Sequence, residues 1–392
     1  MSDDSPTQSP EEEVRGKRTT TITHADDVIV PSLGLRDDFQ VVEGVLVDDE
    51  EMPRVLFTRQ RALVFGLFVL SALAFLYFVL PKIAGLSKTW DRLDDGDPWW
   101  LGVALGFEVL SFAGYVVLFR TVFVRGESRV DMRASYQITM AGLAATRLFA
   151  AAGAGGIALT AWALRRSGLE ARIVACRMIA FLTLLYIVYM GALVLDGIGL
   201  RTGVLPGSGP FAITVIPAIF GGSVIVVILA LSFLPEDIER RLERRAQGSS
   251  RVARWIARAV TVPASVASGV RTALAIVRSR DPGALGAVAW WGFDIAVLWS
   301  CFKAFGEPPP VPVVVMAYFV GMLGNTLPLP GGIGGVDGGM IGAFIALDVS
   351  GGLAVVAVLV YRIFSFWLPT IPGAIAYLQL RRTVQRWRTE PA

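Results

Sequence analysis

The chain has 392 residues, of which 54% are hydrophobic and 18% charged, with a net charge of +3, one histidine and two cysteines. An average soluble domain carries about 25% charged residues, and here the charges gather in short blocks between long apolar runs, which excludes an ordinary soluble enzyme. His24, Cys176 and Cys301 are too few and too scattered for a disulfide framework, and they disfavour zinc sites and His-based nucleophile systems.

Residues 1–53 are polar, with the acidic blocks Glu11–Glu13, Asp26–Asp27, Asp37–Asp38 and Asp48–Glu51. Such a segment cannot bury a core and reads as a disordered cytoplasmic tail, a solvated segment or a partner-binding one. A cleavable signal peptide is not expected, because the first apolar run begins only near residue 62. The apolar runs are 62–81, 98–120, 134–164, 173–196, 210–234, 284–305, 312–350 and 352–378. Roughly 20 apolar residues cross the hydrocarbon core, so most of these runs fit one span each.

Basic residues orient them. Arg54, Arg59 and Arg61 put the start of the first run in the cytoplasm, and Arg120, Arg125, Arg129 and Arg133 return the chain there after the second. The loop with Asp91, Asp94, Asp95 and Asp97 then faces outside by alternation. Residues 235–283 form a basic cytoplasmic loop that includes Arg240, Arg241, Arg244 and Arg245. It either obeys the topology rule or adds an amphipathic helix on anionic lipid. Residues 381–392 form a basic tail that places the C-terminus inside as well.

Two runs do not fit a single span. Run 134–164 lies between basic blocks and breaks at Gly153-Ala-Gly155-Gly156. Run 312–350 has flanks poor in Lys and Arg and breaks at Pro328-Leu-Pro-Gly-Gly-Ile-Gly-Gly335. Each is read as a re-entrant hairpin, the first opening to the cytoplasm and the second to the outside. Broken backbone at membrane depth is tolerated only where protein or a cavity covers it. The segments Gly142–Gly156 and Gly321–Gly335 overlay without a gap at an offset of 179 residues. This is either an inverted repeat of the transporter kind or a chance similarity of two membrane hairpins. The fold class is therefore an all-α polytopic membrane protein with about six full spans and two glycine-broken hairpins.

Ionisable residues inside the runs are Glu108, Arg147, Arg177, Asp294, Lys303, Asp337 and Arg362. Such residues usually face a cavity or a partner. A buried arginine keeps its charge and can grip phosphate with two parallel hydrogen bonds, which suits a phospholipid or polyprenyl-phosphate headgroup at Arg147 and Arg362. The competing reading is internal pairing, of Arg362 with Asp337 or of Arg177 with Glu108. Arg177 and Lys303 are placed to snorkel to opposite interfaces. Gly331, Gly332, Gly334 and Gly335 either free backbone amides for a headgroup or allow close helix packing. Asp95-Gly96-Asp97 has the form of a metal-binding Asp-x-Asp, or is a solvated loop before the interfacial Trp99 and Trp100.

Asn325-Thr-Leu-Pro-Leu-Pro-Gly-Gly-Ile-Gly-Gly-Val-Asp337, followed by Tyr361-Arg362-Ile-Phe-Ser-Phe-Trp367, resembles the lysylphosphatidylglycerol synthase transmembrane-region family, a flippase-like group. The resemblance covers roughly residues 60–380. It departs at Asp337, where relatives usually carry Glu, and at Gly155-Gly156, where they often carry Gly-Glu. It implies a flippase-like membrane domain over 54–380 that moves a lipid between leaflets of the cell membrane, without the soluble aminoacyl-transferase domain of the synthase. The headgroup site would comprise Arg147, Arg177, Asn325, Gly331, Gly332, Gly334, Gly335, Asp337 and Arg362. No cofactor and no metal are called for, and the expected partner is an anionic or polyprenyl-phosphate lipid. Nucleic acid is not expected at a basic block pressed against an anionic membrane, and a partner protein would meet the acidic N-terminal tail. The alternatives are an intramembrane transferase acting on a lipid-linked sugar, and a non-catalytic scaffold.

Overall fold

A computed structural model of the chain describes residues 95–124, 129–148, 154–233, 266–326 and 332–389. The acidic tail 1–53, the first apolar run 62–81 and Gly331 lie outside the described residues. Among the described residues the structure is helical, without strands, and the chain is an all-α polytopic membrane protein. Five helices are long and apolar enough to cross a membrane.

Helix α1 spans Pro98–Phe123. Its start follows from the sequence: Asp97 accepts the Trp99 N–H at 2.9 Å, and Pro98 sits where a missing N–H costs nothing. Helices α2 (Met132–Leu148) and α3 (Ala154–Arg166) make up the first broken run, and of the expected break Gly153–Gly156 the residues Ala154, Gly155 and Gly156 belong to α3, while Gly153 lies outside the described residues. Helix α4 (Ala171–Thr202) ends at Gly203 in the left-handed region, and α5 (Phe211–Ser232) follows. Within the basic loop, residues 266–278 form helix α6, whose Ala267, Val270, Ala273 and Ile276 are buried. That three-residue spacing makes one apolar stripe, with Gly269 against Ile179 of α4. Part of the expected loop is thus a packed helix.

Helix α7 (Gly286–Phe305) leads to α8 (Val311–Met322), which a 3₁₀ turn extends to Thr326. Helix α9 covers Gly335–Ala346 and α10 covers Gly351–Arg362. A π-helical turn, Ile363–Trp367, joins α10 to α11 (Leu368–Thr389). Helix α9 has 12 residues, about 18 Å at 1.5 Å per residue, too short for a core about 30 Å thick.

Both glycine-broken runs are antiparallel helical hairpins closed by glycine. In the first, a Cβ at Gly142 would meet Thr160 Oγ1 at 2.8 Å. In the second, a Cβ at Gly339 would meet Gly321 Cα at 3.1 Å. Adding 179 to 142 and 160 gives 321 and 339, so the two hairpins close in one register.

The same offset relates the rest of the helices. Ser111 on α1 and Trp290 on α7 are 179 positions apart, and Ser111 Oγ donates to the Trp290 carbonyl at 2.9 Å. The two helices cross there antiparallel. Gly114 packs on Gly286 to one side, and Phe107 stacks on Phe293 at 5.9 Å to the other. Exchanging the pair by the offset turns the first contact into the second. Helix α2 lies on α11 through Gln137 and Gln379, which the offset carries to 316 and 200, and α8 lies on α4 through Met316 and Gly197, a match within about one turn. A pseudo-two-fold axis therefore passes through the α1–α7 crossing. Because the related helices run antiparallel, the halves are inverted copies, the arrangement of many transporters.

Candidate functional site

The polar residues of the apolar interior gather where the hairpin ends meet the π turn of the last long helix. Arg362, the last residue of α10, is 8% exposed, and its Nε lies 2.5 Å from Oδ1 of Asp337, which is 1% exposed. Asp337 also accepts the Gly334 N–H through Oδ2 at 2.9 Å. It thus serves two purposes, as the acid in the first turn of α9, where the helix terminus favours negative charge, and as partner of the arginine. Gly332 and Gly334 have φ of +67° and +84°, a conformation that glycine adopts without the Cβ penalty. These two residues turn the chain so that the α9 amide end faces Arg362.

Arg147 arrives from the other hairpin, one residue before the end of α2. Its guanidinium forks onto two successive carbonyls of the π turn: Nη2 donates to Ser365 O at 2.7 Å and Nη1 to Phe366 O at 3.3 Å. The Phe366 carbonyl also accepts the Thr370 hydroxyl at 2.6 Å, and the local sequence explains why the Ser365 carbonyl is open. Pro369 has no N–H, so Ser365, four residues earlier, loses its α-helical donor. The π turn widens the ladder at the same place, a feature common at functional sites.

The Phe366 ring gathers both cations. The Arg362 guanidinium carbon is 4.7 Å from its centroid and that of Arg147 is 5.7 Å. Arg147 is also 5.7 Å from the Phe112 ring. Cation–π contacts hold each guanidinium without neutralising it. Two like charges are thus kept near one ring, one from the end of the first hairpin and one from the end of α10.

A second polar group lies beside the first. Asp294 of α7 is buried and accepts from the hydroxyls of Tyr318 and Tyr361, the latter at 2.9 Å. Glu108 of α1 is 4% exposed and lies within electrostatic reach of Asp294 and Arg147. Its Oε2 has no hydrogen-bond partner among the described residues.

Of the residues named from the sequence, Arg147, Arg362, Asp337, Gly332, Gly334 and Gly335 come together. Asn325 joins them at the rim: it is exposed, and its Oδ1 lies beside Gly332. Arg177 does not. It donates to the Phe123 carbonyl at 2.9 Å, at the far end of α1 from Glu108, about 22 Å along the helix. The Arg362–Asp337 pairing forms, whereas Arg177 and Glu108 stay apart. Sequence reasoning named Glu108 and Asp294 as costly charges but did not place them at the site, and it missed Tyr318, Ser365 and Phe366. The one available signal was Pro369, which marks the carbonyl that needs a donor. Asp97 of the Asp-x-Asp is engaged as the α1 cap, and among the described residues no group of three His, Cys, Asp or Glu could hold a metal. A cavity of about 380 Å³ lined by Glu307, Asp348 and Leu353 shares no residue with the arginine cluster.

The family described as lysylphosphatidylglycerol synthase TM region matches residues 63–373. Two UPF0104 membrane proteins of Methanothermobacter thermautotrophicus are 34% and 36% identical over 109 and 86 residues, which is 28% and 22% of this chain. A UPF0104 membrane protein of Methanocaldococcus jannaschii is 34% identical over 95 residues, 24% of this chain. The matches span only 31%, 26% and 28% of these relatives' own lengths. No solved structure matches the chain.

Proposed function

The chain belongs to the lysylphosphatidylglycerol synthase transmembrane-region family, and from that premise we propose that it moves a phosphate-bearing lipid, a phospholipid or a polyprenyl-linked one, between membrane leaflets. The observation that carries this reading is the pair of guanidinium groups of Arg147 and Arg362 against the single Phe366 ring. Arg147 commits two of its five N–H donors to the π turn, and the other three would engage a phosphate. Arg362 would exchange Asp337 for the headgroup, so that an ion pair closes the empty site. The amide end of α9, turned by Gly332 and Gly334, adds the partial positive charge of a helix N-terminus.

On this reading both hairpins are re-entrant, and their ends meet near the midplane of the cell membrane from opposite sides. The lipid would pass from one hairpin to the other as one half rocks against its inverted copy. Both chain termini are then cytoplasmic. Single cysteines in a chain with Cys176 and Cys301 replaced by Ser test this. An impermeant thiol reagent added to intact cells is expected to label Asp95→Cys but not Arg381→Cys. Labelling of both, or of Arg381→Cys alone, overturns the topology.

The activity is tested with purified protein in vesicles carrying headgroup-labelled phosphatidylglycerol, phosphatidylcholine or a polyprenyl phosphate. Leaflet exchange is read by an impermeant quencher. Exchange of at least one of these lipids well above protein-free vesicles, unchanged by a chelator, is expected. No exchange of any of them sinks the translocase reading, and a metal-dependent transfer of sugar or phosphate would replace it.

A further inference from the structure

The carboxyl pair of Glu108 and Asp294 is not used by the headgroup reading. It sits on α1 and α7, close to the crossing about which the halves are related. We propose that Glu108 and Asp294 together hold one exchangeable proton, and that the chain couples lipid movement to a proton gradient through it. The coupling rests on the translocase reading, whereas the bound proton does not.

The first support is geometric. Asp294 accepts from two tyrosine hydroxyls, so its charge has dedicated donors. Glu108 is just as deeply placed, but its Oε2 meets no donor among the described residues. A buried carboxylate oxygen without a donor carries a large desolvation cost. A proton on that oxygen removes the charge that water would otherwise have to solvate.

The second support is the charge count. The groups facing Glu108 across the helices are Asp294 and Cys301 of α7, Arg147 of α2 and Tyr361 of α10. Arg147 in turn feels Arg362, which pairs with Asp337. Among the described residues this cluster therefore holds two arginines against three carboxyls, the other buried acid, Asp196 of α4, lying apart from it. Two carboxylates balance the two arginines, and the third is neutral only with a proton.

The coupling follows from Arg147. A phosphate that engages Arg147 takes positive charge away from the field that Glu108 and Asp294 share. The pair then binds a proton more tightly, and by linkage a protonated pair leaves Arg147 more available to the phosphate. Lipid and proton are thus favoured together. The proton comes from water on the side to which the site is open and returns to water on the other.

Two readouts test the idea. Infrared difference spectra of the purified protein in H₂O and D₂O report a protonated carboxyl by its C=O stretch. Wild type is expected to show such a band at neutral pH, and both Glu108→Gln and Asp294→Asn are expected to lack it, since either change leaves two carboxylates for two arginines. No band in wild type, or a band kept in both variants, overturns the shared proton whatever the transport result. In vesicles with an imposed pH gradient, wild type is expected to shift labelled lipid toward one leaflet several-fold, and Glu108→Gln to lose that bias. A band with lipid exchange indifferent to the gradient overturns the coupling alone. A band with no exchange of any lipid overturns the translocase reading and leaves the proton site in place.

Discussion

Arg362→Ala is expected to abolish lipid exchange and to destabilise the protein by about 3–5 kcal/mol, and the two effects are expected to separate when Asp337 is changed as well. The stability loss follows from burial. Asp337 is 1% exposed, and removing one partner of a buried pair strands the other charge at a cost of about 3–5 kcal/mol. Asp337→Asn removes that stranded charge while keeping an oxygen for the Gly334 N–H. The double variant Arg362→Ala/Asp337→Asn is therefore expected to melt close to wild type in detergent, within about 1–2 kcal/mol, since the ion pair itself contributes little net stability. Exchange stays lost in the double variant, because the headgroup has lost one of its two guanidinium groups. If exchange returns together with stability, Arg362 is only a counter-ion and has no part in binding the lipid. Arg362→Lys is expected to restore little, since an ammonium cannot make the planar fork.

The second large effect is expected at the glycines that close the hairpins. A Cβ at Gly321 would meet the Met340 backbone nitrogen at 2.8 Å and Cα at 2.9 Å, and one at Gly156 would run into the Gly142 carbonyl and Thr146. Backbone cannot step aside as a side chain does. Gly321→Ala and Gly156→Ala should each cost about 1–3 kcal/mol, the range for overpacking a tight contact. Gly142→Ala meets mainly the Thr160 hydroxyl, which can rotate, so it should cost under about 1 kcal/mol. Gly102, in the second turn of α1 with nothing within 4 Å, is the control. There alanine should gain up to about 1 kcal/mol from helix propensity alone. Thermal melts of the four variants decide the matter: equal costs at all four positions would mean that hairpin closure does not depend on these contacts. Exchange should fall with stability at Gly156 and Gly321, because the hairpins carry Arg147 and Asp337 at their ends.

The membrane class, the span positions and the two broken runs were legible in the sequence. Each rests on a local rule: a span needs a continuous apolar stretch, and glycine with proline interrupts a helix. The start of α1 was equally local, in Asp97-Pro98. The inverted repeat was visible only as an ambiguous overlay of glycines. The Ser111–Trp290 crossing decided it, because a chance similarity does not place partner residues 179 apart on the axis that exchanges them.

The site divides the same way. Composition alone marked Arg147, Arg362, Asp337, Glu108 and Asp294 as charges that apolar runs do not carry without cause. It gave no means of choosing partners, since pairing depends on how helices distant in the sequence cross. Arg362 met Asp337 because Gly332 and Gly334 turn the start of α9 toward the end of α10. Arg177 and Glu108 stayed apart because Arg177 contacts the last residue of α1, about 22 Å along the helix from Glu108. The gathering of Arg147 and Arg362 on Phe366 depends on a π turn and a proline-opened carbonyl meeting a hairpin from the other half of the chain. By itself the sequence determined which residues enter the membrane and which charges need a reason to be there. Only the tertiary structure decided which charges neutralise one another and which stand together as a site, because burial fixes the cost of each charge while helix crossing fixes the neighbour that offsets it.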